Sequence, residues 1–243
     1  MSPGTVRALG SHVWEASLDR RGDRSGKFGS KEVVGRLVWA ELDLYEYQQI
    51  EGGSLALEER QIDNDRYRRT SAGAPWQLSR AASGDSTVLM KPLSLWNEAL
   101  RPLGEQVAWT RQDDTTVEGR PARVYKLQMA PLTATDSASS PADAARRKGL
   151  SMIPLAVEGI AYIDDETGNR LLAELEIRFV PRVVADRADP LDEVLVTYRE
   201  SRSITPLPPD IVEPDPETVR VRGDISDRAK NPYPKPTRPG ERR

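Results

Sequence analysis

From Arg170 to Val180 the chain reads ArgLeuLeuAlaGluLeuGluIleArgPheVal, and apolar and polar side chains take turns along it. Leu171, Ala173, Leu175, Ile177 and Phe179 fall on one side, Leu172, Glu174, Glu176 and Arg178 on the other. A repeat of two is that of an extended strand, so this segment is a strand with one buried face and one wet face. Just upstream, Val157, Gly159, Ala161 and Ile163 alternate with Glu158, Ile160 and Tyr162, and AspAspGluThrGlyAsn at 164–169 is rich in turn formers. Together the two segments predict a hairpin. Glu193 to Ile204 predicts a third strand, with Val194, Val196 and Tyr198 on one side and Leu195, Thr197 and Arg199 on the other.

The first half repeats the idea less regularly. Val33 to Gln49 carries apolar residues on both faces and reads as one bent strand or as two strands joined near Glu41. Leu55 to Gln61, Asp65 to Thr70, Trp76 to Arg80 and Ser86 to Met90 follow as short strands, separated by GlyGly, AspAsn, GlyAlaPro and SerGlyAsp turn signals. That spacing is the pattern of an antiparallel meander. Between Pro92 and Leu103 the period changes: Leu93, Trp96, Leu100 and Leu103 recur at helical spacing, and Pro102 with Gly104 ends the run. Strands resume at Gln106 to Arg111 and Ala122 to Met129.

Few helices, many strands and no strand–helix alternation predict an α+β fold. The expected architecture is a strongly curved, mostly antiparallel sheet, a half-barrel of roughly ten strands, with a few helices on its concave face.

Only 37% of the residues are apolar, beneath the ~45–50% of typical globular chains. The shortfall is local. Residues 206–243 hold 9 of the 19 prolines, and such a segment buries too little apolar surface to offset its ordering entropy. Three regions follow. Residues 1–30 are expected to be a flexible N-terminal segment with a short helix around Val13, Trp14 and Leu18. Residues 31–205 form the sheet domain, with a flexible insertion at 130–150. Residues 206–243 are a Pro-rich, basic, largely extended or disordered tail.

The formal net charge is -3, which gives no whole-chain reason to expect nucleic acid. Residues 217–243 carry eight Arg/Lys against four Asp/Glu, so the tail end is basic and the body acidic. That leaves the tail as a route to a protein partner or to peripheral contact with an anionic membrane surface. ArgTyrArgArg at 66–69 is better explained by strand alternation than as a nucleic-acid patch, since alternation sends Tyr67 and Arg69 to the face opposite Arg66 and Arg68.

Chemistry is sparsely represented. With no cysteine and one histidine, thiolate metal sites, disulfides and cysteine nucleophiles are excluded. His12 is expected to be exposed and inert in the soft N-terminal segment. The run Asp164, Asp165, Glu166 lacks the alternating ligand spacing of a calcium loop and is expected to be a solvated hairpin tip. Asp63 and Asp65, and Asp113 and Asp114, are read as turn residues. No nucleophile elbow, phosphate loop or dinucleotide fingerprint occurs. No catalytic residue, metal ligand or cofactor is therefore assigned, and the chain is read as a non-enzyme.

The tryptophans carry the binding reading. Trp39, Trp76, Trp96 and Trp109 fall in expected strands or in the helix and are placed to converge on one surface. Together with Leu100, Leu175, Ile177 and Phe179 they are the candidate lining of a cavity for an apolar ligand, with core filling as the alternative role.

Five segments carry a family likeness: IleAspAsnAspArgTyrArgArg at 62–69, AlaProTrpGlnLeu at 74–78, ValGluGlyArgProAlaArgValTyrLysLeu at 117–127, ValGluGlyIleAlaTyrIleAspAspGluThrGlyAsnArgLeuLeuAla at 157–173, and ValThrTyrArgGluSerArgSerIle at 196–204. Their order resembles the LolA-like family of periplasmic lipoprotein carriers and related lipid-binding envelope lipoproteins. In that family a glycine-marked strand runs to an Asp-rich turn and the return strand begins with a TG-x-x-LL-like step. The resemblance implies a half-barrel with a helical lid, an interior that takes lipid or lipoprotein acyl chains, and a periplasmic or outer-membrane-associated location. The chain departs from the pattern in showing no signal peptide and no lipobox cysteine, which keeps a cytoplasmic location as the alternative. The functional arginine of the carriers has no motif match, so no site residue is carried over. The alternative function is a structural or scaffolding module with a packed core, binding a protein partner through a sheet edge or the Pro-rich tail.

Overall fold

The computed structural model describes residues 3–22, 29–41, 43–80, 87–103, 106–130, 152–181, 193–204 and 210–221. A six-residue helix α1 (Pro3–Ala8) is followed by strands β1 (His12–Arg21), β2 (Lys31–Glu41), β3 (Leu44–Glu51), β4 (Ser54–Ile62), β5 (Asp65–Arg69) and β6 (Trp76–Arg80). A 3-10 turn at Thr87–Met90 runs into α2 (Lys91–Leu100). Then come β7 (Val107–Arg111), β8 (Thr115–Val117), β9 (Arg120–Met129), β10 (Met152–Asp164), β11 (Arg170–Pro181), β12 (Val194–Ile204) and a final short β13 (Val219–Val221).

All thirteen strands join one curved, unclosed sheet in the order β13-β6-β5-β4-β3-β2-β1-β12-β11-β10-β9-β7, with β8 also on β9. Every pairing is antiparallel except β13 with β6. Hairpins run outward from β1 to β6 on one side. On the other side β9 to β12 run back inward, so that β12 closes against β1. Short connections use residues that accept positive φ: Gly52 and Gly53 (54° and 77°) turn β3 into β4, and Glu118 and Gly119 (49° and 81°) turn β8 into β9.

The cross-strand partners assign each side chain to a face. Trp14 lies opposite Leu37 and Arg202, and Leu18 opposite Val33 and Tyr198. Trp39 lies opposite Tyr45, and Leu175 opposite Tyr198. These residues share the face covered by α2, where Leu95, Trp96 and Ala99 complete one continuous core with them. The helix can approach this closely because β2 carries Gly35 beneath it. A Cβ there would lie 2.9 Å from the Trp14 ring and 3.0 Å from Leu95 Cδ1. Lys31 on β2 also reaches Glu98 on α2 at 2.9 Å.

The structure corrects several expectations. The segment 12–21, assigned to a flexible leader with a helical turn, is a ten-residue strand in the middle of the sheet. His12, Trp14, Ala16 and Leu18 are buried at period two, and their pairing is with residues nearly two hundred positions away in β12, where local reading does not reach. His12 is accordingly fully buried rather than exposed. Residues 87–90 are a 3-10 turn rather than a strand: Val88 and Leu89 are adjacent and both buried, which one face of a strand does not allow. Of the proline-rich tail, residues 210–221 are described. Asp215 caps a 3-10 turn by accepting from the Glu217 amide at 3.0 Å, and Val219–Val221 then extends the sheet along β6. The insertion at 131–150 lies outside the described residues.

Candidate functional site

A cluster of polar side chains lies within the helix-side core. On β12 Glu200 is flanked across the sheet by Ala16 and Ala173, whose small side chains leave room for larger groups to reach its carboxylate. Trp14 Nε1 donates to Glu200 Oε1 at 3.0 Å, Tyr198 Oη to Oε2 at 2.9 Å, Arg170 Nε to Oε2 at 2.7 Å and Arg202 Nη2 to Oε1 at 3.4 Å. Burial and the adjacent carboxylate push the Tyr198 phenol well above its usual range, so it stays a donor. His12 lies beyond Arg202: its Nδ1 is 2.8 Å from the Gly10 carbonyl and its Nε2 is 3.5 Å from Arg202 Nη1. A carbonyl can only accept, which assigns the proton to Nδ1 and leaves Nε2 to accept from Arg202. Burial first, and the Arg202 charge second, lower the His12 pKa to about 4, so the ring is neutral near pH 7.

Arg170 links this cluster to a pocket. Two residues of β11 sit against one of β10 between Leu172 and Arg170, where Tyr162 pairs with Leu172 and Ile163 with Arg170. This bulge reverses the alternation and brings Arg170 to the α2 side, beside Ile163. Its guanidinium carbon stands 4.3 Å from the Trp96 ring centroid, within the range of a cation–π contact. Trp96 in turn meets Tyr198 edge-on at 5.3 Å and Trp109 of β7 at 5.9 Å with a 30° tilt. Beside these groups lies a pocket of about 290 Å³, lined by Trp96, Trp109, Tyr125, Ala161, Ile163, Gly168 and Arg170. Trp109 is 43% exposed although it stands at the rim of a hydrophobic core.

The eight residues singled out in the sequence separate into three groups. Trp96 and Trp109 meet in the pocket. Trp39, Leu175, Ile177 and Phe179 are buried in the core, Trp39 stacked 6.1 Å from Tyr45, while Leu100 packs half-buried against that core. Trp76 lies on the opposite face of the sheet, between the guanidinium groups of Arg60 and Arg69 at 5.1 and 4.5 Å, where Arg60 also donates to the Val212 carbonyl at 2.9 Å. The four tryptophans therefore do not converge on one surface.

Arg170, Glu200, Arg202, Tyr198 and His12 were not anticipated. Simple alternation puts Arg170 on the wet face with Leu172, and nothing local announces the bulge. Glu200 and Arg202 sit in a strand whose alternation was legible, but charged residues at its inward positions were not taken as inward.

The acidic hairpin tip is also rearranged. Asp164 is fully buried rather than solvated: Arg120 donates to it through Nε at 2.7 Å and Nη2 at 2.9 Å, and Thr167 through its amide at 2.9 Å and its hydroxyl at 2.6 Å. Burial raises its pKa, but these hydrogen bonds and the Arg120 charge outweigh it and hold the carboxyl at about 2. Asp165 pairs with Arg123 at 3.0 Å and Glu166 with Arg120 at 3.1 Å.

No family model and no curated protein matches the chain. Among solved structures it is similar to an uncharacterized conserved protein from Thermus thermophilus, at 14% identity over 90% of this chain and 96% of that one, with a TM-score of 0.31. It is also similar to the Mycobacterium tuberculosis lipoprotein LppX, at 10% identity over 84% and 96% of the two chains, with a TM-score of 0.29. A LolA superfamily protein from Nitrosomonas europaea is similar at 8% identity over 82% and 88%, with a TM-score of 0.28.

Proposed function

We propose that this chain is a non-enzymatic binding protein of the bacterial cell envelope that holds the apolar part of a lipid or lipoprotein acyl chain in the pocket between α2 and the β7–β9–β10 end of the sheet. One observation carries the reading: Trp109, 43% exposed, stands over Trp96 at the mouth of a pocket of about 290 Å³. Aromatic walls around an opening of this kind gain from covering by an apolar chain. The volume suits one chain segment. The envelope setting rests on the resemblance of the segments at 62–69, 74–78, 117–127, 157–173 and 196–204 to lipoprotein carriers.

A binding role also agrees with the titratable groups. The chain's one histidine has both ring nitrogens engaged and a pKa of about 4, which makes it a poor general base near pH 7. The test is native mass spectrometry of the gently purified chain, together with tryptophan fluorescence on titration with decanol. A co-purified lipid mass, or a saturable change in emission that Trp109→Ala abolishes, is expected. A bare mass with no response to decanol overturns the reading.

A second reading, a structural module that binds a protein partner, draws on the tail. Val219–Val221 already adds a strand to the β6 edge within the chain, and an equivalent addition at the β7 edge is the mode this reading gives a partner. A pull-down with and without residues 206–243 separates the two routes.

A further inference from the structure

Independently of the pocket, we propose that the face of β4, β5 and β6 opposite α2 is a docking site for an extended segment of a protein partner, and that the chain's own residues 210–221 occupy it as a displaceable stand-in.

The site holds its shape through contacts among sheet side chains. Glu58, buried on this face, accepts from Arg69 Nε at 2.6 Å, Arg60 Nη2 at 2.9 Å and Gln48 at 3.3 Å, and Arg60 Nε stands 3.0 Å from Glu46. The same two guanidinium groups lie over the Trp76 ring. None of these contacts involves residues 210–221, so the departure of that segment leaves them in place. What it frees is Arg60 Nη1, a donor already fixed in position, and the backbone edge of β6.

The present occupant is held lightly by comparison. Of residues 210–221 nine are exposed, Ile211 and Val219 are half-buried and Pro214 alone is buried. Val212 and Val221 keep 66% and 76% of their surface in solvent. The ladder to β6 is three residues long and parallel, the slightly weaker kind of pairing. A segment that buries so little lies at the low end of local stability and opens more readily than the sheet beneath it.

The occupant also displays what the site takes. The carbonyl of Val212 accepts from Arg60 at 2.9 Å, Pro214 is the buried anchor, and Val219 enters the ladder opposite Trp76. The partner class is therefore an extended segment with a proline five residues ahead of a β-branched residue that adds as a strand. A second copy of this chain offers only the same sequence, and competes against a tethered segment whose effective concentration is about millimolar. A partner with larger apolar groups where Val212 and Val221 stand exposed buries more surface and so overcomes the tether.

The test uses a fluorescent peptide of residues 210–221 and the full-length chain. Because the chain has no cysteine, Leu78→Cys in the chain and Val221→Cys in the peptide place two thiols at facing positions of the parallel pair. A disulfide-linked adduct is expected on air oxidation, and none with Lys126→Cys on β9, at the far side of the sheet. In anisotropy titrations, Pro214→Ala with Asp215→Ala in the chain removes the anchor and the cap and is expected to tighten peptide binding about tenfold. The same two changes in the peptide should weaken it about tenfold. Equal binding of the two peptides, or adducts at both cysteine positions, overturns the site. So does a peptide that neither binds nor forms the adduct with Leu78→Cys. The adduct decides even where the doubly changed chain does not fold, since it draws on transient opening of the unaltered segment. Covalent dimers in place of an internal disulfide, when Leu78→Cys and Val221→Cys are combined in one chain, would assign the site to a second copy and overturn the partner.

Discussion

The guanidinium of Arg170 lies against the ring of Trp96, 4.3 Å from its centroid, and this contact joins the polar cluster on β12 to the underside of the one long helix described. Trp96 is thus in contact with a cation on one side and with Tyr198 and Trp109 on others. It serves both the core and the pocket, whereas Trp109 at 43% exposure serves chiefly the pocket.

The two tryptophans should therefore separate on mutation. Trp96→Ala removes a buried aromatic and is expected to cost about 3–5 kcal/mol of stability. Trp109→Ala should cost less than about 1.5 kcal/mol, the scale of an aromatic pair contact, while abolishing the decanol response. Urea denaturation of both variants, with ligand titration of whichever remains folded, checks this. A Trp109→Ala variant as unstable as Trp96→Ala would make Trp109 a core residue.

Glu200 holds the cluster together by accepting from Trp14, Tyr198, Arg170 and Arg202. Replacing it with glutamine keeps the shape but removes the carboxylate charge that the buried guanidinium of Arg170 pairs with and that Arg202 also meets, and a loss of about 3–5 kcal/mol is expected. Adding Arg202→Met to Glu200→Gln should recover part of that loss. A double-mutant cycle by chemical denaturation measures the coupling, and strictly additive effects would contradict the cluster as described.

Gly35 is the point where α2 comes nearest the sheet. Gly35→Ala places a Cβ 2.9 Å from the Trp14 ring and 3.0 Å from Leu95, and overpacking of this kind is expected to cost about 1–3 kcal/mol. Gly53→Ala, which meets nothing within 4 Å but has a φ of 77°, tests the other use of glycine in this chain, since its cost would be conformational alone. Truncating Leu95 to alanine alongside each separates them: it should relieve Gly35→Ala and leave Gly53→Ala unchanged.

Acid should destabilise the chain in two stages. The folded pKa of His12 is about 4 against an ordinary 6.5, so between those values the unfolded chain binds a proton that the folded one does not. Stability is therefore complete above about pH 6.5 and falls as the pH drops towards 4, by about 3 kcal/mol. Asp164, held at about 2 against 3.8, adds a contribution that is present above 3.8 and is lost as the pH falls towards 2. Unfolding midpoints measured from pH 8 to 3 should show the first loss in the wild type and not in His12→Gln. An unchanged profile in that variant would assign the loss to other groups.

Much of the sheet was readable residue by residue. The alternation in 157–163, 170–180 and 193–204 anticipated β10, β11 and β12, and the AspAspGluThrGlyAsn turn joins the first two as expected. Trp96 and Leu103 were placed on the apolar side of a helix that starts at Lys91 and is followed by a turn through Leu103. Tyr67 and Arg69 do face away from Arg66 and Arg68: Arg69 covers Trp76, while Arg66 reaches Gln61 at 3.2 Å on the other face. Less was readable of the site. Trp109 and Trp96 were named, but with six residues that belong elsewhere, and Arg170 was hidden by a one-residue bulge. A period of two says that neighbouring side chains part company, and it does not say which side meets the helix.

What the sequence determined by itself is local: where backbone is extended, where it turns, where it becomes helical, and that thiol chemistry is absent. Those properties follow from the periodicity and composition of a few adjacent residues. The tertiary structure decided which strands became neighbours. It set β1 against β12, across most of the chain's length, and so converted His12 from a surface residue into part of a buried cluster. It also decided which charged side chains entered the core, because the cost of burying Arg170, Arg202 and Glu200 depends on their meeting one another. Pairings that distant are chosen by the summed burial of the whole sheet, which no short stretch of sequence contains.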